Sequence, residues 1–94
     1  MAELCVHLVV RGRVQGVSFR RFVEEQAAAS AVTGWVRNLS DGSVEAMLCG
    51  EAKAVHHVEA WLNRGPELAR VDHVEAEELP MTEYAGFTIR YDGD

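Results

Sequence analysis

The sequence predicts an α+β fold in which two helices cover one face of an antiparallel sheet, in the order βαββαβ with one short strand added at the C-terminal end. Three observations predict it. Apolar side chains alternate with a period of two in five stretches, two intervening stretches change to helical spacing, and glycine or a glycine–proline pair stands where the pattern changes. No repeat, linker or low-complexity tract interrupts this pattern, and 94 residues suffice for one compact domain, residues 1–94, with a single core.

Residues 4–10 form the first strand, with Leu4, Val6, Leu8 and Val10 on one face and Cys5, His7 and Val9 on the other. From Phe19 the spacing of Phe19, Phe22, Val23 and Ala27 is helical, in an alanine-rich stretch that ends before Gly34. Residues 34–37 make a short second strand. Residues 38–42 carry turn chemistry, and residues 43–49 alternate again with Val44, Ala46 and Leu48 inward, so the two strands form a hairpin. Residues 51–64 return to helical spacing: Val55, Val58 and Leu62 share a face, Ala54 and Trp61 lie beside them, and Gly65-Pro66 supplies the stop. Residues 71–79 give a fourth strand, whose Asp72, Glu75, Glu77 and Glu78 read as a solvated face and edge protection. Phe87, Ile89 and Tyr91 alternate in a last strand. The sheet face away from the helices carries Cys5, His7, Glu45, Met47 and Cys49, a mixed set suited to solvent rather than to a core.

Composition narrows the partners. With 48% hydrophobic and 26% charged residues the chain is ordinary for a globular domain, and no apolar stretch reaches the length of a bilayer span or a signal peptide. The expected location is cytoplasmic, with no membrane partner. The net charge of −6 argues against broad nucleic-acid binding. That charge is unevenly spread: residues 4–23 contain no acid but hold Arg11, Arg13, Arg20 and Arg21, four of the nine basic residues. A locally positive pocket on an acidic body suits a small anion.

The turn between the first strand and the first helix is the place for it. Gly16 lets the backbone take positive φ, so consecutive amide N–H groups can converge where the helix dipole also favours negative charge. Arg20 falls in the first helical turn, where its guanidinium can fork two phosphate oxygens. Taken alone, Gly12 and Gly16 serve equally well as plain closure of a strand-to-helix connection, and Asn38 as a turn residue bonding its own backbone.

Gly12-Arg13-Val14-Gln15-Gly16-Val17-Ser18-Phe19-Arg20, followed by Gly34-Trp35-Val36-Arg37-Asn38 and by Gly42-Ser43-Val44 up to Gly50, resembles the acylphosphatase family over essentially the whole chain. The resemblance implies a ferredoxin-like open-faced sandwich that hydrolyses the carboxyl–phosphate bond of small acyl phosphates without a metal or other cofactor. Carried onto this chain, it makes Arg20 the phosphate-binding arginine and the backbone amides of Gln15, Gly16, Val17, Ser18, Phe19 and Arg20 the cradle. Asn38 becomes the residue that orients the attacking water. The implied partners are an acyl-phosphate substrate and inorganic phosphate as product and inhibitor, with the chain a monomer. Arg11, Arg13 and Arg21 read as solvated charges that raise the local potential.

Other readings are open. The same cradle fits a slow or non-catalytic module that binds acyl or carbamoyl phosphate, as in acylphosphatase-like parts of larger maturation enzymes; a chain with no other domain favours the free-standing enzyme. RNA-recognition domains share the element order but stack bases on aromatic residues of the first and third strands, where His7 and Met47 stand here. Cys5 and Cys49 fall on the same sheet face near each other, so a disulfide is geometrically possible, while a reducing cytosol argues against it. With His7 they make only three soft ligands for a metal. His56 and His57 point in different directions on a helix and read as surface residues.

Overall fold

The computed structural model describes residues 2–93. Its elements are β1 (Glu3–Arg13), α1 (Phe19–Ala29), β2 (Thr33–Asn38), β3 (Val44–Glu51), α2 (Ala52–Arg64), β4 (Arg70–Leu79) and β5 (Phe87–Arg90). The five strands form one sheet in the order β4-β1-β3-β2-β5. Both helices lie on one face, α1 over β2 and β5, and α2 over β3, β1 and β4.

The alternation read from the sequence places the core. Val6, Leu8 and Val10 of β1, Val36 of β2, and Val44, Ala46 and Leu48 of β3 are at most 1% exposed and meet Phe19, Val23 and Ala27 of α1 with Val55, Val58 and Leu62 of α2. Each fully buried Val, Leu or Phe side chain contributes on the order of 1.5–3 kcal/mol through apolar area removed from water. Acid-rich β4 is an edge strand, and its charged side chains disfavour edge-to-edge pairing.

One expectation needs correction: the sheet is mixed. β1 pairs antiparallel with β3 and β4, and β3 antiparallel with β2, but β2 and β5 run parallel, with Gly34 opposite Phe87 and Arg37 opposite Arg90. The reason is the connection. β4 ends beside Cys5 at one edge of the sheet, and β5 begins beside Gly34 at the other, so residues 80–86 cross the end of the sheet where β2 also starts. Entering from that end, β5 runs in the same direction as β2. The final strand therefore delivers residues 91–93 to the opposite end of the sheet, beside the turn that precedes α1.

The crossing link also closes part of the face away from the helices. Cys5 and Cys49 lie directly opposite each other in the β1–β3 register and are disulfide-bonded. The backbone N–H of Thr82 donates to Cys5 Sγ at 3.2 Å, and both cysteines are at most 1% exposed. The two sulfurs are joined to each other, so the soft-ligand grouping with His7 does not form. Elsewhere on this face His7, Glu45 and Arg37 form a polar chain, and the guanidinium groups of Arg37 and Arg90 each stand 4.9 Å from the centre of the Trp35 ring.

Candidate active site

At the end of β1 the backbone changes direction twice within a few residues. Gly12 sits in a register shift between β1 and β4, and a Cβ there would lie 2.1 Å from the Arg70 carbonyl oxygen. Its role is close strand approach, apart from the turn itself. Val14, 1% exposed, anchors the chain in the core, and Gly16 then takes φ +75° with open space where a side chain would stand. Ser18 also adopts the left-handed region, at φ 62° and ψ 29°, immediately before α1. Among the described residues, the amide N–H groups from Gly16 to Arg20 have no backbone or side-chain acceptor. Unsatisfied donors at a helix start, beside a glycine with nothing over it, form a concavity suited to an anion.

A cavity of about 490 Å³ opens there, lined by Val14, Gln15, Gly16, Ser18, Phe19, Arg20, Arg21, Glu24, Asn38, Ile89 and Tyr91. The two polar side chains singled out in the sequence, Arg20 and Asn38, thus face one space from different elements, α1 and the end of β2. Most arginines of this protein are paired: Arg11 with Asp41 and Glu75, Arg21 with Glu25, Arg37 with Glu45 and Asp92, Arg70 with Asp72, and Arg90 with Asp92. Among the described residues Arg20 makes no ion pair; its guanidinium carbon stands 4.8 Å from the centre of the Tyr91 ring. Free of a carboxylate, its full charge and its donors are available to a ligand.

Gln15 contributes differently from a cradle amide alone. Its side-chain Nε2 donates to the Leu39 carbonyl at 2.8 Å and to the Ser43 carbonyl at 2.9 Å, tying the loop between β2 and β3 to the turn before α1. That loop begins at Asn38. It is closed further by Leu39 N–H to Ser43 O at 2.9 Å and by Asp41, which accepts bonds from the amide and hydroxyl of Ser43 and from Arg11. Those Ser43 bonds, then Arg11, hold the Asp41 carboxyl at about 2, below its ordinary 3.8. On the far sheet face, burial pushes the Glu45 carboxyl up, but bonds from His7 and Arg37 with their charges outweigh it and leave it below its ordinary value. The bond to Glu45, opposed by burial and helped by the Glu45 and Asp92 charges, raises Arg37 in turn.

Of the expected cradle residues, Gln15, Gly16, Ser18, Phe19 and Arg20 line the cavity, whereas Val17 is buried in the core and offers only its backbone. Phe19 is split in the same way, its ring 2% exposed and its amide at the helix start. Two of the arginines read as solvated charges do more: Arg11 fastens the Asp41 loop, and Arg21 lines the cavity. Glu24, just past the acid-free stretch, also lines the cavity. The periodicity assigns Tyr91 to the last strand; the structure puts it beyond β5, 81% exposed and over Arg20. No local pattern signals that placement, because it depends on the parallel entry of β5.

A ferredoxin-like α+β sandwich with an anion-suited concavity at one end of its sheet defines the class of protein. Sequence comparison narrows it. A model of the acylphosphatase family matches residues 6–89. An acylphosphatase from Pseudomonas paraeruginosa is 49% identical over 90 residues, 96% of this chain and 99% of that one. The solved structure of an acylphosphatase from Coxiella burnetii is similar with a TM-score of 0.89 at 43% identity, covering 94% of this chain and 93% of that chain. The crystal structure of full-length HypF in its phosphate- and nucleotide-bound form matches with a TM-score of 0.87 at 28% identity, over 98% of this chain but 13% of that one. The chain belongs to the acylphosphatase family of hydrolases.

Proposed function

We propose that this protein hydrolyses small acyl phosphates at the phosphorus atom, with Arg20 and the amides of residues 15–20 holding the phosphoryl group and Asn38 orienting the attacking water. The observation that carries this reading is an arginine without a carboxylate partner, facing the same cavity as free turn amides and Asn38. Water attacks phosphorus, the P–O bond to the acyl oxygen breaks, and an acyl phosphate dianion plus water becomes a carboxylate and dihydrogen phosphate. The leaving carboxylate has a conjugate acid of pKa about 4, so its departure needs no general acid.

The residues divide the work. Asn38 has no basic site at ordinary pH, but its amide can hold a water in line with the scissile bond, and orientation of this kind lowers barriers by up to roughly 7–11 kcal/mol. The water's proton passes to a phosphoryl oxygen of the substrate itself. Charge on the phosphoryl oxygens is met by Arg20 and the fixed amides, each such donor being worth about 2.7–4 kcal/mol by analogy with an oxyanion hole. This chemistry calls for no metal. Gln15, by tying the Asn38 loop to the cradle, keeps the two halves at a fixed separation. Residues 1–94 act as one domain and as a monomer in the cytoplasm, with inorganic phosphate as product and competitive inhibitor and with no nucleic-acid or membrane partner. No helix among the described residues is long and apolar enough to cross a membrane.

A second reading, a slow or non-catalytic module that binds acyl or carbamoyl phosphate, draws support from the likeness to one-eighth of the HypF chain. Hydrolysis of benzoyl phosphate in the presence of EDTA separates the two. Wild type is expected to turn over rapidly, Arg20→Ala to lose phosphate inhibition and turnover together, and Asn38→Ala to lose turnover while phosphate still inhibits. Equal loss of phosphate affinity in both variants contradicts the division of roles. Phosphate binding without turnover in wild type makes the binding module the better reading.

A further inference from the structure

Tyr91 lines the cavity against Arg20, and the hydrolytic reading gives it no task. The residue is 81% exposed, so burial does not hold it in place. The next residue does. The Asp92 carboxylate bonds to the Arg90 guanidinium and stands 3.5 Å from Arg37 Nη1. Arg37 is itself fixed by Glu45, its Nε donating to Oε1 at 2.7 Å, while His7 Nε2 lies 2.6 Å from the other Glu45 oxygen. Gly93 then passes so close to β2 that a Cβ on it would lie 1.7 Å from the Asn38 carbonyl oxygen. Residues 91–93 are thereby strapped across the end of β2, with Tyr91 against Arg20.

We infer that Tyr91 is a positioning residue for Arg20, held by the Asp92 ion pairs; the inference rests on reading Arg20 as the phosphate-binding arginine. The physical argument concerns which part of the guanidinium is engaged. A carboxylate partner would take its in-plane N–H donors and neutralise the charge an anion needs. An aromatic face contacts the flat side of the group instead, limiting the freedom of a long side chain while leaving the donors at its rim open. The ring thus orients Arg20 without competing with phosphate. Asp92 acts one step removed, by anchoring the tail to a polar chain on the opposite sheet face.

Calorimetric titration with inorganic phosphate, together with kcat and KM for benzoyl phosphate, tests this on wild type, Tyr91→Phe, Tyr91→Ala and Asp92→Asn at matched folded concentration. Tyr91→Ala is expected to weaken phosphate binding and raise KM by roughly two- to fivefold, the range of an exposed cation–π contact, with kcat changed less. Tyr91→Phe, which keeps the ring, should bind within about 1.5-fold of wild type, and Asp92→Asn should fall between the two, in line with the smaller value of exposed ion pairs. Tyr91→Ala that binds phosphate as wild type does, or Tyr91→Phe that loses as much as Tyr91→Ala, overturns the proposal. A wild type that binds no phosphate fails the site reading first and the positioning role with it.

Discussion

Gly12 and Gly16 both hold positive φ within a single motif, for unrelated reasons. At Gly12 the obstacle is another strand: an alanine would place Cβ 2.1 Å from Arg70 O, and at φ +133° no L side chain is comfortable. Gly12→Ala is therefore expected to destabilise the protein by about 2–4 kcal/mol in urea unfolding, through strain and a forced shift of β4. Gly16→Ala meets nothing and should cost only the left-handed penalty, about 1–2 kcal/mol. The sequence makes the two look alike, since it shows where glycine stands and not what approaches it. Arg20 and Asn38 were legible as cavity-lining residues because the motif itself places them, one in the first turn of α1 and one at the end of β2. Gln15 was legible only as backbone, for its side chain reaches a loop 24 residues away.

The element most exposed to pH is the loop between β2 and β3. Its Asp41 carboxyl lies at about 2 in the folded state against an ordinary 3.8, a depressed value, so its contribution is complete above about pH 4 and is lost as pH falls through 2. Asp72 and Asp92 are lowered in the same sense by Arg70 and Arg90, and add to that fall. Thermal unfolding followed between pH 5 and 2 should show Tm dropping most steeply below pH 4, with a shallower slope in Asp41→Asn. An equal slope in the variant would mean that other carboxylates carry the loss. Strands and helices were legible as elements because burial alternates at their own periods: Val44, Ala46 and Leu48 are all fully buried. The direction of β5 was not. Alternation is the same for a strand read either way, and only the crossing at residues 80–86 decides it.

Across the whole molecule the disulfide joins the central strands β1 and β3 at a sequence separation of 44. In the chain-entropy model a closed loop of that length contributes about 4 kcal/mol by restricting the unfolded chain. Reduction with a thiol reagent, or replacement of both cysteines by alanine, should lower the unfolding free energy by roughly that amount while leaving turnover intact, because the bond lies at the end of the sheet away from the cavity. Loss of activity in the folded, reduced protein would contradict that separation. A reducing compartment does not by itself open the bond: both sulfurs are shielded by the sheet and by Thr82, and an attacking thiolate needs access. Spacing alone supports either state of the pair, since adjacency across two strands depends on a register that residue spacing only suggests.

The path of β1 separates Glu3 from Gly93. Its 11 residues run from the disulfide end to the cavity end, about 33 Å at some 3.3 Å per residue, so Glu3 starts far from the turn that precedes α1. Gly93 instead lies against Asn38. For anyone producing this protein the asymmetry is practical: an affinity handle or fluorescent fusion belongs on the Glu3 side. The same attachment just after Gly93 would crowd the cavity lined by Arg20 and Asn38 and pull on residues 91–93.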